Sequence, residues 1–406
     1  MAALAIDLVA FYTARSEAQL AADGAALAGA RVLANSGFTS GSVDQGATED
    51  RARAIANQVA TSNKVGGRTL VQATEVTVTF NDADPTFATN PHVTVKVQRT
   101  DLPTFFAHIW GRATVSVGAS ATAEAYNPSG ADAFGKAPVA PTCVKPWLLP
   151  NIDPTNSPNP IFVTDTGVIN NPALLGYSTT SHPPTERLRP RCIDCSVAPL
   201  PTPVAWQYYP GNPVDFPPPT LALPNCSTTP YENSIAGCVQ TTIACGSAIN
   251  TKHVVTIDTS DYSTRDTETA NAVNCLTHAV ANNNDADQVD LTVVPSPPFE
   301  FLAGNNNPVV GTIGQDVMVS SSLVTVPVFD VGPPPAFAAP PGTVQIVGFV
   351  QLFLNPDGQA TPNNGGNNGR VQTTVINMAG CGVGWTATPI LGNGTSPVTV
   401  RLISPP

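Results

Sequence analysis

The first thirty residues, MAALAIDLVAFYTARSEAQLAADGAALAGA, constrain this chain more than any other stretch. Met1 to Tyr12 are apolar except for Asp7, and Arg15 then opens an alanine-rich segment carrying Glu17, Gln19 and Asp23. Alanine is the best helix former, and the one glycine before Gly29 is Gly24, so a single long helix is predicted. Such a helix, apolar at one end and polar at the other, suits a boundary between lipid and water. Its apolar end covers about 18 Å, against roughly 30 Å of hydrocarbon in a bilayer. Either the rest of a membrane helix lies upstream of Met1, or this end packs against protein. No basic n-region follows Met1 and no cleavage pattern precedes the polar segment, so no secretory signal is read here.

The rest of the composition narrows the function classes. Charged residues make up 12% of the 406, and the formal net charge is -11. The 18 lysines and arginines are spread thinly, with no cluster to neutralise phosphates, which argues against nucleic-acid binding. All eight cysteines lie at or beyond Cys143: Cys143, Cys192, Cys195, Cys226, Cys238, Cys245, Cys275 and Cys381. An even number, confined to the Pro-rich part and the C-terminal segment after it, fits structural disulfides made in an oxidising compartment. Four bridges are expected, and their connectivity is left open.

Hydrophobic patterning divides the chain into an N-terminal domain, 1–127, and a second domain, 138–406. After the long helix, 36–46 reads as a loop and 49–60 as a second helix, with Ala52, Ile55, Ala56 and Val59 at helical spacing. Gly66-Gly67 ends that region. Residues 75–80, 93–98 and 114–125 alternate with period two, as expected of strands in a sheet packed on one face. Between the last two lies the apolar turn Leu102–Trp110, started by Pro103, which covers the sheet or touches a membrane surface. The expected fold is α+β: a long N-terminal helix packed on a small antiparallel sheet, followed by a Pro-rich, disulfide-stabilised, mostly β domain. Of the 41 prolines, 21 fall in 138–230, which forbids continuous helix there. Trp147, Trp206, Tyr208, Tyr209 and Phe216 argue for a folded, irregular module rather than a spacer. Short helices are expected within 231–246 and 267–281. Strands are expected at 319–330, 344–354, 371–376 and 397–403, with Gly348 a bulge or a point of close approach.

No catalytic constellation emerges, and neither an enzyme nor a cofactor is expected. Cys192-Ile193-Asp194-Cys195 lacks the following helix of a thioredoxin-like pair. A zinc site there would need ligands from Cys226, Cys238 or Cys245, and structural disulfides are the simpler reading. The five histidines, His92, His108, His182, His253 and His278, are scattered. No G-x-S-x-G, Walker A or Rossmann glycine pattern is present. The strand 254–257 running into Asp258-Thr259-Ser260 is similar to the start of a metal-dependent adhesion site. Tyr262 stands where a second hydroxyl ligand belongs, and a strand with an Asx or Ser turn accounts for the segment.

The N-terminal segment resembles the TadE/TadG-like family of Flp (tight adherence) pilus assembly proteins. The residues that carry the resemblance are Ala5-Ile6-Asp7, Tyr12, Arg15, Gln19, Ala21-Ala22-Asp23 and Ala25-Ala26-Leu27-Ala28-Gly29-Ala30. Gly24 replaces an alanine of the family pattern. The Pro103-Thr104-Phe105-Phe106 turn and the strand ending Ala121-Thr122-Ala123-Glu124-Ala125 extend the likeness over about 1–127. The resemblance implies a pilin-like fold and a membrane-anchored structural or assembly component of the cell envelope, with no catalytic residues. Expected partners are membrane lipid or other helices through residues 1–30, further copies of the chain, or other pilus and secretion components. Ala21, Ala25, Ala28 and Gly29 form a small-residue face suited to close approach by a neighbouring molecule's helix. Asp23 is expected to pair with a neighbour's Arg15 or to lie at the water boundary. A surface-displayed adhesin is the alternative, and exposed aromatics around Trp147, Trp206, Tyr208 and Tyr209 would favour it.

Overall fold

The structure, a computed structural model, describes residues 2–41, 44–111, 113–130, 137–151, 160–164, 167–176, 189–190, 207–219, 229–244, 254–257, 262–280, 284–290, 298–330, 343–361, 371–382, 388–392 and 396–403. It is an α+β protein of two units. One comprises Met1–Ala34, Asp44–Tyr126 and Val400–Pro406; the other comprises Asn35–Val43 and Asn127–Thr399.

In the first unit, helix α1 (Ala2–Asn35) runs unbroken through Gly24 and Gly29. Helix α2 (Gln45–Ser62) starts where the Asp44 carboxylate accepts the Ala47 N–H at 3.1 Å, an N-cap that satisfies one orphan donor. Its Thr48, Ala52, Ala56 and Ala60 form a buried stripe at intervals of four, and Gly29 of α1 sits against Ala52 and Ala56. Small residues on both helices permit this close approach. Strands β1 (Lys64–Val65) and β2 (Arg68–Thr69) make a tight hairpin whose turn, Gly66-Gly67, has φ of 57° and 85°. Both turn positions require positive φ, which glycine adopts without strain. Arg99 donates to the Val65 and Gly66 carbonyls, and the Glu17 carboxylate accepts the Gly66 N–H at 2.6 Å. The pair Gly66-Gly67 therefore reverses the chain within the domain.

A single turn, α3 (Gln72–Glu75), leads into β3 (Val76–Phe80), β4 (His92–Pro103) and β5 (Thr114–Tyr126), which pair antiparallel. On one sheet face Val93 lies opposite Ala123 and Val95 opposite Ala121, and all four are buried. A large residue facing a small one leaves room for α1, and Val93 contacts the Gly29 position.

The second unit is mostly β. In chain order it holds β6 (Val139–Ala140), β7 (Trp147–Pro150), β8 (Arg189–Pro190), β9 (Gln207–Pro210), α4 (Pro230–Ala236), β10 (Val254–Thr256), α5 (Tyr262–Thr277), β11 (Gln288–Val289), β12 (Phe301–Leu302), β13 (Leu323–Phe329), β14 (Thr343–Leu354), β15 (Thr373–Gly380) and β16 (Ile390–Leu391). The main sheet has the order β10-β14-β13-β7-β9-β8, with β15 also on β14. β13 and β15 are buried along their whole length, so this sheet is covered on both faces. Phe301 stacks on Phe353 with ring centroids 5.1 Å apart. Gly348 is a point of close approach: a Cβ there would lie 2.7 Å from Val163 Cγ2 and 2.8 Å from the Ala379 carbonyl. The β13–β14 register slips beside it, between Val328 and Phe329.

The last strand, β17 (Thr399–Ile403), was expected in the second domain. It joins the first unit's sheet instead, giving the order β17-β5-β4-β3. Arg401 on β17 pairs with Glu124 on β5 and lies over the Tyr126 ring. Burial pushes the Tyr126 hydroxyl up to about 12, and the neighbouring Glu124 charge adds to the rise.

Candidate functional site

The residues with most to say about function lie at the start of α1. Ile6, Leu8, Val9 and Tyr12 are 53–64% exposed, whereas Ala14, Ala18, Ala21, Ala22 and Ala25 are fully buried. Successive residues of a helix are about 100° apart, so these four large side chains spread over roughly 160° of its circumference, one broad apolar face with Asp7 on the opposite side. Asp7 is the polar exception, and its carboxylate is engaged. Oδ1 accepts the Phe105 N–H at 2.8 Å, and Oδ2 accepts those of Phe106 at 2.9 Å and Ala107 at 2.7 Å. Desolvation acts to raise its pKa, but the three backbone donors outweigh it and hold the carboxyl below its ordinary range. These N–H groups lead into a 3₁₀ turn, Ala107–Trp110, which has no side-chain cap of its own. Asp7 supplies the cap from a different element. Phe105 and Ile109 on this turn are 67% and 74% exposed.

The small-residue face expected to receive another molecule's helix is occupied within the chain. Ala21, Ala25, Ala28 and Gly29 are all buried, with α2 and β4 against Gly29. Within the chain, the hairpin of α1 with α2 uses the close approach that small residues permit at Gly29. Asp23 accepts a hydrogen bond from Gln19 Nε2 at 2.7 Å on its own helix.

In the second unit the aromatics that would have lined an exposed groove are core residues. Trp147 and Tyr208 are fully buried and in ring contact at 5.7 Å, and Tyr209 is buried against Phe329. Their apolar area drives the packing of β7 and β9, so the expected exposure does not occur; Trp206 lies outside the described residues. Cys143 and Cys238 form a disulfide, and Cys275 and Cys381 are also disulfide-bonded. Cys192, Cys195, Cys226 and Cys245 lie outside the described residues, as do Asp258, Ser260, His182 and His253. Beside the first bridge, the buried Lys145 ammonium donates to the carbonyls of Ile235 and Gly237 at the end of α4. Burial pushes it down to about 7. The two acceptors and the α4 terminus work in the opposite direction.

A buried polar network forms the other concentration of functional groups in that unit. Gln351 donates to Asn35, Asn377 donates to Gln351 at 3.0 Å, and Ser40 Oγ lies 2.9 Å from Asn377 Oδ1. Asn127 donates to the Thr39 and Met378 carbonyls and accepts from Ser129. These members satisfy one another and tie 35–40 and 127–129 to β14 and β15, a role in specifying packing. Periodicity could not reveal this network, since polar residues at core positions carry no repeat. Asp7 did leave a signal: one acid inside an apolar run demands a partner.

Among the described residues no group of three His, Cys, Asp or Glu is placed to hold a metal ion, and no helix is long and apolar enough to cross a membrane. No known protein family, curated protein or solved structure shows significant similarity to the chain.

Proposed function

We propose that this chain is a structural or assembly component of the cell envelope, akin to the tight-adherence pilus assembly proteins that its N-terminal segment resembles. In this reading α1 is the mount, its apolar end standing in a membrane, and the disulfide-pinned β-rich unit is displayed on the extracytoplasmic side. The observation that carries the reading is the contrast along α1: Ala14, Ala18, Ala21, Ala22 and Ala25 are small and fully buried, whereas Ile6, Leu8, Val9 and Tyr12 are large, apolar and exposed. A broad exposed apolar face on a helix is stable when lipid or protein covers it. A long helix lying on an antiparallel sheet agrees with a pilin-like arrangement, and oxidised cysteines agree with an oxidising compartment.

The test is fractionation of the full chain expressed in a bacterial host. The wild type should stay with carbonate-washed membranes until detergent is added, and external protease should reach the second unit in spheroplasts. The Ile6→Ser/Val9→Ser variant should move to the supernatant. Recovery of the wild type in the soluble fraction with reactive thiols would overturn the proposal.

A further inference from the structure

Strand β14 runs into Asn355-Pro356-Asp357-Gly358, where the chain turns and the Gly358 N–H donates to the Asn355 carbonyl at 2.7 Å. Proline suits the second position of such a turn, and glycine the fourth. Asn355 is 2% exposed and has φ of 47°, a left-handed backbone that Asn tolerates better than most residues but holds at a cost. Its side chain is half used. Oδ1 accepts the Thr361 hydroxyl at 3.1 Å, whereas the buried Nδ2 has no hydrogen-bond acceptor among the described residues. A buried donor without an acceptor costs free energy, so its retention calls for a reason. Other asparagines that precede prolines differ. Asn127 Nδ2 donates to the Thr39 and Met378 carbonyls, and Asn307 Nδ2 donates to Asp287 at 2.9 Å.

An asparagine before a proline has one ring closure open to it. Proline carries no N–H, so its nitrogen cannot attack the side-chain amide. The side-chain nitrogen can instead attack its own residue's carbonyl carbon. Three features of Asn355 serve that attack. Nδ2 is tied to no acceptor. The Thr361 hydroxyl on Oδ1 stabilises the negative charge that gathers on this oxygen as the amide gives up a proton. The Gly358 N–H already lies on the carbonyl oxygen that becomes the oxyanion.

We propose that Asn355-Pro356 is a self-cleavage site, at which the Asn355 amide nitrogen displaces Pro356. The bond from Nδ2 to the Asn355 carbonyl carbon forms, and the bond from that carbon to the Pro356 nitrogen breaks. One Nδ2 proton stays on the imide nitrogen and the other ends on the Pro356 nitrogen, so no co-reactant is consumed. The products are 1–355, ending in a succinimide, and 356–406, beginning with a free proline. The second piece is not released. Cys381 is the one cysteine in 356–406 and is disulfide-bonded, so its partner lies before Asn355, and β15 stays paired with β14. This activity does not depend on the envelope function proposed for the chain.

The experiment is intact-mass spectrometry and electrophoresis of the purified, disulfide-intact full chain during incubation at neutral pH with protease inhibitors. At early times, reduced samples should give two fragments whose masses sum to that of the uncut chain, because cyclisation adds no water. Non-reduced samples should keep the intact mass. Asn355→Gly retains the positive φ and removes the nucleophile, so it should stay uncut with the circular dichroism of the wild type. Thr361→Val should slow cleavage about tenfold. Pro356→Ala restores a backbone N–H and should divert the reaction to a succinimide within an uncut chain, with loss of ammonia. The Asn127-Pro128 and Asn307-Pro308 bonds should stay whole.

A wild type that remains uncut overturns the proposal. So do fragments that carry an added water from the earliest time, with asparagine as the sole new terminus, since these mark hydrolysis by a protease. Cleavage of Asn355→Gly at the wild-type rate removes the nucleophile from the argument. Equal cutting after Asn127 or Asn307 shows that the free amide of Asn355 does not select the site.

Discussion

One methyl group, added at two glycines of the same helix, should have opposite effects. At Gly24 a new Cβ would lie 3.7 Å from Val59 Cγ1, an ordinary contact. A glycine inside a helix costs about 1 kcal/mol relative to alanine, so Gly24→Ala should stabilise the first unit by about that amount. At Gly29 the same atom would lie 3.1 Å from Val93 Cγ1 and 3.4 Å from both the Ala52 carbonyl oxygen and Ala56 Cβ. Val93 is fully buried in β4 and, being β-branched, has little rotamer freedom with which to yield. Overpacking of this kind costs about 1–3 kcal/mol, which meets or exceeds the propensity gain of about 1 kcal/mol. Gly29→Ala should therefore be destabilising by about 0–2 kcal/mol, leaving the two variants about 1–3 kcal/mol apart. Native-state hydrogen exchange of the α1 and α2 amides reads this difference without requiring the whole two-unit chain to unfold in one step. Equal stabilisation by both substitutions would refute the packing of α1 on α2 and β4. It would also return the small-residue face to a partner molecule.

The same packing requires that Ala25→Leu, at a fully buried position, destabilise the monomer by about 1–3 kcal/mol or more; a variant that melts like the wild type and only assembles less well would contradict it. The Cys143–Cys238 bridge closes a loop with a sequence separation of 95, worth up to about 4.7 kcal/mol in the chain-entropy account. Non-reducing urea titration of Cys143→Ala/Cys238→Ala should show a loss approaching that. Cys143 has φ of 57°, so Cys143→Gly/Cys238→Ala should lose about 1 kcal/mol less; no difference between the pair would remove the strain argument. An unfolded lysine keeps its proton to about pH 10.4, whereas folding lowers Lys145 to about 7. Between those values the unfolded chain binds more protons, so stability should rise with pH from 7 towards 10. Lys145→Met should lose that rise, and identical pH slopes in urea unfolding of the two proteins would show that Lys145 is not the cause.

Local repeats carried much of the fold. Alanine-rich periodicity predicted α1 and α2, and period-two alternation predicted β3, β4 and β5, because helix and strand faces are set by residues a few positions apart. Apolar content, rather than alternation, located β13, β14 and the start of β15 and marked Gly348, where a missing side chain signals backbone proximity. What α1 packs against was not legible in this way. A stripe of small residues permits close approach but does not say to which surface, and the tertiary structure assigns it to α2 and β4. Aromatic side chains are equally ambiguous: Trp147, Tyr208 and Tyr209 are amphipathic enough for a groove, yet their area is spent in the core. Joining the Asp7 carboxylate to 105–107, Arg401 to Glu124, and Asn127 to Met378 depends on segments 98 to 277 residues apart. No window of sequence contains both partners of such a pair. The amino-acid sequence by itself determined which segments become helices and strands and that one end of α1 is apolar; only the tertiary structure decided which polar groups are cancelled, which small faces are consumed, and hence which apolar surface is left to meet a partner.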